Sequence, residues 1–284
     1  MTARPPSTTA ADAAAISSQR VAATGRIEVE QRAGRSRLSG LFQEGAAKIR
    51  LPDTGSDPLE AVLINMAGGL TGGDRIAWEA TVGADARASL TTQACEKVYR
   101  ALAGSAQVDV RLTIGEGGFL GWLPQETIVF DRAAFSRRLD VELAADAEAL
   151  IVEATIFGRS AMGERAANGM FHDRWRIRRE GRLIHAEDFA VGPDIEATLS
   201  RPASTGGRIA FATLLLVSER GEHLLEAART IIGDNGGASF WTVGETGKLL
   251  ARLYAEDGYT LRKRLMPLVA LLNGQAGLPR LWSL

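Results

Sequence analysis

The chain has 284 residues, with 33 Lys and Arg against 34 Asp and Glu, a formal net charge of −1. A near-neutral chain has no general attraction for phosphate, which excludes a generic nucleic-acid binder. The single cysteine, Cys95, excludes a disulfide scaffold, and three scattered histidines (His172, His185, His223) with no Cys-x-x-Cys or His-x-x-x-His pair offer no structural zinc site.

The length suits one large domain or two small ones. Glycine is abundant, 31 residues against nine prolines, which favours many turns and short strands. Residues 1–25 are rich in Ala, Ser, Thr and Pro and lack the apolar stretch of a secretory signal, so a disordered tail is expected. No apolar run approaches the roughly 20 residues of a membrane span, so the expectation is a cytoplasmic protein with no membrane contact.

From Arg26 to about Ser218 the pattern is that of strands. Leu59–Asn65 is a short apolar run. In Arg75–Val82, Ile76, Trp78, Ala80 and Val82 share one side, and Ala86–Thr92 follows a turn at Gly83-Ala84-Asp85. Gln107–Ile114 and Phe135–Leu143 alternate with period two, as half-buried strands do. Ala149–Phe157 is continuously apolar and is expected to be buried on both faces. Phe171–Phe189 reads as a hairpin turning at Glu180-Gly181, and Gly206-Gly207 precedes a strand over Ile209–Val217.

The period changes near Glu219. Leu224, Leu225, Ala228, Ile231 and Ile232 recur at helical spacing up to Gly233. Glu245–Glu256 is expected to form a second helix, with Leu249, Leu250, Leu253 and Tyr254 inward. Leu261, Leu265, Leu268, Val269 and Leu272 mark a third, which Pro267 should kink or divide. No Pro- or Ser-rich linker separates the two parts. One domain over 26–284 is expected, a β body to about 218 and a helical layer over 219–284.

Several enzyme signatures nearly form. Gly158-Arg159-Ser160-Ala161-Met162-Gly163 places its second glycine one residue too late for a nucleophile elbow. Gly115-Glu116-Gly117-Gly118 has Leu120 where a dinucleotide loop needs glycine. Gly244-Glu245-Thr246-Gly247-Lys248-Leu249 lacks the earlier glycine and the final Ser or Thr of a phosphate loop, and reads as a glycine-rich helix start. Glu126 and Asp131 flank an apolar stretch and could do acid–base work only if they converge.

Four segments in order carry more information. They are Asn65-Met66-Ala67-Gly68-Gly69-Leu70-Thr71-Gly72-Gly73-Asp74, Thr91-Thr92-Gln93-Ala94-Cys95-Glu96-Lys97-Val98-Tyr99, Leu123-Pro124-Gln125-Glu126-Thr127-Ile128-Val129-Phe130 and Phe157-Gly158-Arg159-Ser160-Ala161-Met162-Gly163-Glu164. With the ending Leu278-Pro279-Arg280-Leu281-Trp282, they resemble the UreD (UreH) family of urease accessory proteins over about residues 26–284. The resemblance implies a mainly β fold, a layered, β-helix-like stack of strands with a few C-terminal α-helices. It implies a non-catalytic assembly factor that contacts apo-urease and works with a UreF-type scaffold and a UreG-type GTPase. No tightly bound cofactor is implied, only transient Ni2+ passing through the subunit.

Within that frame Asp74, Glu126, Asp131, Glu153 and Glu164 are candidate carboxylates along a nickel path, since nickel accepts oxygen ligands and a loose site releases its ion. Asp74 could equally be a turn acid bonding local N–H groups. Gly68, Gly69, Gly72 and Gly73 are expected to turn one strand into the next. Cys95 reads as a packed thiol, and Glu96–Lys97 as a solvated pair. Arg137-Arg138, Arg174, Arg176, Arg178-Arg179 and Arg262-Lys263-Arg264 read as a solvated basic face or a patch for an acidic partner. The tail Leu278–Leu284 either packs on the body or anchors a partner. Two other readings stay open: a hydrolase using Ser160 or the Glu126/Asp131 pair, and a metal-free β scaffold.

Overall fold

The computed structural model describes residues 20–52, 55, 57–159 and 163–283. One sheet contains β1 (Ala22–Arg32), β2 (Arg35–Glu44), β5 (Arg75–Val82), β8 (Ala106–Ile114), β11 (Ala133–Leu143), β13 (Gly169–Arg179) and β14 (Arg182–Val191). The other contains β3 (Ala47–Arg50), β4 (Leu59–Asn65), β6 (Arg87–Thr92), β7 (Glu96–Val98), β9 (Phe119–Leu123), β10 (Thr127–Val129), β12 (Glu148–Phe157), β15 (Ala210–Val217), β16 (Gly236–Val243) and β17 (Thr246–Ala255). From Leu59 to Arg179 the chain alternates between the sheets. Strands β5, β8, β11 and β13 run parallel in the first, and β4, β6, β9 and β12 run parallel in the second.

Parallel neighbours need a crossover. Here each crossover is a strand of the opposite sheet, so the chain winds as stacked coils of about 30 residues, a solenoid repeat. This is the layered stack that the resemblance implied. The expected strand alternation holds closely. Ile76, Trp78, Ala80 and Val82 all face the core, and β12 is buried on both sides. The hairpin at Glu180-Gly181 has positive φ at both residues, 50° and 71°, as a tight two-residue turn requires.

A third layer covers the second sheet. Helices α2 (Gly221–Ile232) and α3 (Gly258–Asn273) pack Ala228, Ile232, Leu261, Leu265 and Leu268 against Leu214, Leu216, Leu249 and Leu253. A short helix, α1 (Ile195–Ser200), lies between β14 and β15. β12 and β15 are buried on both faces because they sit between the inter-sheet core and the helical layer.

Three expectations are corrected. Glu245–Glu256 is not a helix but strand β17, and Gly244 turns β16 into it at φ 62°. Its apolar residues face two different layers, which mimics helical spacing. The region 219–284 is therefore mixed, two strands with two helices. Pro267 does not divide the last helix, which runs unbroken from Gly258 to Asn273. Strand β1 begins at Ala22, before the expected end of the tail, and residues 1–19 lie outside the described residues.

The C-terminal tail packs on the body. Trp282 is 1% exposed, and its indole N–H donates to Thr91 Oγ1 and to the Leu123 carbonyl, both at 3.1 Å. Trp282→Ala removes the ring and leaves a cavity against β6 and β9. The expected cost is about 3–5 kcal/mol, read as a lowered midpoint of urea unfolding at unchanged slope. A loss under 1 kcal/mol would mean the tail is not part of the folded core.

Candidate functional site

The described residues of the four motif segments stack along one solenoid edge. Leu70 bridges Val98, Val98 pairs with Val129, and Val129 pairs with Phe157, one rung from each segment. Each rung leads from the second sheet into the first. Gly72 lies so close to the next coil that a Cβ there would stand 2.2 Å from the Ala103 carbonyl, and a Cβ at Gly69 would meet the Tyr99 ring at 2.4 Å. Close stacking of the turns therefore explains these glycines.

Two neighbouring strands break at the same level. Gln93-Ala94-Cys95 separates β6 from β7, and Pro124-Gln125-Glu126 separates β9 from β10. Pro124 has no N–H to lose, which suits a ladder gap. The Gln125 N–H donates to Thr92 Oγ1 at 2.9 Å, and the Glu96 N–H to the Glu126 carbonyl at 3.0 Å. Arg262, on α3, fills the gap. Its Nε and Nη2 donate to the Glu126 carboxylate at 2.7 and 3.0 Å, and Nη2 also donates to Gln125 Oε1. The Cys95 thiol donates to Glu126 Oε2 at 3.3 Å. Burial first, then the Glu126 charge, pushes that thiol up to about 12, so it stays protonated at neutral pH.

Beside the break is a cavity of about 160 Å³, lined by Asn65, Trp78, Thr92, Cys95 and Glu96 among others. Asn65 Nδ2 donates to both oxygens of Glu96 at 3.1 Å. Burial raises the Glu96 carboxyl to about 7, with the Asp74 charge adding to the rise. Glu96 is thus no solvated partner of Lys97, and no ion pair to it forms among the described residues.

A second polar cluster lies between the sheets. Arg137, 4% exposed, donates from Nε to Asp173 Oδ1 at 3.0 Å and from Nη2 to Oδ2 at 2.5 Å, and pairs through Nη1 with Glu153. The indole N–H of Trp122 donates to Glu153 at 2.8 Å and that of Trp175 to Asp173 at 3.0 Å. Burial pushes the Glu153 carboxyl above the usual range against the pull of Arg137. Arg137 is therefore no part of a solvated basic face, and Arg262 also turns inward.

The other candidates sit apart. Asp74 is buried, with Oδ1 accepting the Val21 N–H at 2.9 Å and Oδ2 the Thr71 N–H at 2.8 Å. Asp131 Oδ1 accepts from the Ala167 and Asn168 N–H groups at 3.0 and 2.9 Å. Glu164 pairs with Arg159 at 2.5 Å on the rim of another cavity. Among the described residues Glu126 and Asp131 share no hydrogen-bond partner, and Ser160 lies outside them. Among the described residues no three His, Cys, Asp or Glu side chains gather to hold a metal. His172 Nε2 meets the Asp188 carboxylate at 2.7 Å on the exposed side of β13.

Arg137, Asp173 and Glu96 were missed as site residues, although two carried a signal. Arg137 shares its parity with Phe135, Leu139 and Val141, and Asp173 shares its own with Phe171, Trp175 and Ile177. A charged residue at a core-facing position of a strand marks a buried polar cluster.

Residues 22–283 match the family described as UreD urease accessory protein. A protein of Mesorhizobium japonicum named urease accessory protein UreD is 66% identical over 266 residues, covering 94% of this chain and 95% of the relative. Urease accessory protein UreD 1 of Brucella abortus is 56% identical over 269 residues, covering 95% and 96%. Its namesake in Brucella anthropi is 57% identical over 275 residues, covering 95% and 97%. Among the described residues no helix is long and apolar enough to cross a membrane.

Two outcomes follow from these geometries. Arg137→Met strands two buried carboxylates and should cost about 3–5 kcal/mol, measured by denaturant unfolding at pH 7. Glu96 has a folded pKa near 7 against 4.5 for the free group. Its contribution to stability is full below about 4.5 and is lost as pH rises towards 7. Glu96→Gln should therefore remove a fall in stability between pH 4.5 and 7. Identical pH profiles for the two proteins would refute the raised carboxyl.

Proposed function

Because this chain belongs to the UreD family of urease accessory proteins, we propose that it is a non-catalytic maturation factor for the nickel centre of urease. It contacts apo-urease and works with a UreF-type scaffold and a UreG-type GTPase in the cytoplasm. Nickel is its cargo, passed along interior oxygen ligands and not retained.

The observation that carries this reading is the convergence of four family-like segments on one edge, with acidic side chains directed inward from it. Loose oxygen ligation suits an ion that must leave again. The carboxylates differ in how free they are. Both oxygens of Asp74 are taken by backbone N–H groups, and Glu126 and Glu153 are held by guanidinium groups. Glu96 has only neutral donors on it, the Asn65 amide and the Lys97 backbone N–H, and lines a cavity with Cys95. Nickel passage therefore runs past Glu96, whose oxygens are held by neutral donors and by no guanidinium. Asp74, Glu126 and Glu153 shape the route, and Asp131 and Glu164 brace the outer turns.

A strain lacking this chain should make urease protein of low nickel content and low activity. Reintroducing Glu96→Gln should restore complex formation, read by co-purification and size exclusion, but activate urease at least several-fold more slowly at limiting nickel. Fully nickel-loaded urease in the deletion strain would sink the maturation role. Wild-type activation by Glu96→Gln would sink the route past Glu96 alone.

A further inference from the structure

Away from the motif turns, the two sheets end on β14 and on the pair β17–β16. Between these last strands is a cavity of about 410 Å³, lined by Ile184, His185, Trp241, Lys248, Leu250 and Arg252 among others. Lys248 is 3% exposed. Its ammonium donates to the Ile184 carbonyl and lies 4.9 Å from the centre of the Trp241 ring. It has no carboxylate partner among the described residues. An ammonium carries three donors, and a carbonyl and a ring face do not neutralise its charge.

His185 faces the same space. It is 7% exposed, and its Nε2 is buried without a hydrogen-bond partner. Burial first, then the charges of Lys248 and Arg252, pushes its pKa down to about 4, so the ring is neutral at pH 7 and offers one N–H. The carboxylate in the lining, Glu187, is already bound to Arg252 at 2.5 Å. Arg182 adds a further cation near Gly244 in the β16–β17 turn. The cavity is thus positively charged, apolar on the Leu250 and Trp241 side, and holds a buried ammonium with unspent donors beside an unpartnered imidazole nitrogen.

We propose that this cavity binds a carboxylate, held by the Lys248 ammonium and by His185 in the tautomer that carries its N–H on Nε2, with its apolar portion against Leu250 and Trp241. A carboxylate has two oxygens for two donors, and a charge-assisted bond to a buried ammonium is the stronger kind. The carboxylate comes either from a small free acid or from an acidic residue of a bound protein.

The test uses the full chain with 15N-labelled histidine at pH 7. Sodium acetate is titrated against sodium chloride at equal ionic strength. The His185 Nε2 resonance should move saturably with acetate and not with chloride, and the acetate affinity should fall at least ten-fold in Lys248→Met. His172 and His223 resonances at their original positions show that the variant is folded. Should it fail to fold, 15N-labelled lysine in the unchanged chain serves instead, and the Lys248 Nζ signal must follow the same saturation curve. No saturable shift, an equal response to chloride, or undiminished binding in Lys248→Met overturns the proposal. Where acetate binds, repeating the titration on the chain co-purified with its protein partners identifies the source. His185 already at its saturated position assigns the carboxylate to a partner, and an unaltered titration assigns it to a free acid.

Discussion

The guanidinium of Arg262 closes the gap where two neighbouring strands of the second sheet break together, between β6 and β7 and between β9 and β10. A paired gap in a parallel sheet exposes backbone groups and lets water into the core. Arg262 answers both demands with one planar fork. It engages Glu126 through two nitrogens, reaches Gln125, and lies 5.8 Å from the centre of the Trp282 ring. Helix α3, the tail and the motif turns are thereby one unit. A lysine would supply the charge there without the bidentate geometry.

The coil winding sets the rest. Each parallel pair requires a return strand, and each return strand delivers a turn to the same edge. Segments about 30 residues apart in sequence become neighbouring rungs. That is why Gly69 and Gly72 belong to turns that must approach the next coil closely, and why Asp74, at the end of the same loop, is consumed in tying Val21 and Thr71 together. The turn reading of Asp74 is the one its hydrogen bonds support.

Much of this was legible in the sequence, because strands with one face on a core announce themselves by period two. Ile76 to Val82 and Leu139 to Leu143 lie as their alternation requires. The signal failed where a strand has a core on both sides. In β17, Leu249 and Leu253 face the helices while Lys248 and Leu250 face the other sheet, so the period vanishes and a helix is the natural misreading. The winding has no recurring motif to announce it, since the stacking is carried by backbone pairing and small residues. The site was harder to see than the fold. Arg137 looked like half of a basic doublet, yet the parity of its strand put it inside. Glu96 looked like half of a surface pair, and only the fold brings Asn65 to it.

Pairing separates the buried charges into two kinds. Glu126, Glu153 and Asp173 each face a guanidinium, so their burial is compensated within the fold. Glu96 and Lys248 are hydrogen-bonded but face no opposite charge among the described residues. A carboxyl raised by burial and a buried ammonium without a counter-ion both weaken the folded state, and apolar residues of similar size would not. The two groups carry opposite sign and lie in different cavities, so they cannot neutralise one another. A stability requirement alone accounts for neither. As proposed above, each is completed from outside the chain, a cation at Glu96 and an anion at Lys248. The same rule that assigns Arg137 and Arg262 to structure is the ground for proposing binding at these two positions.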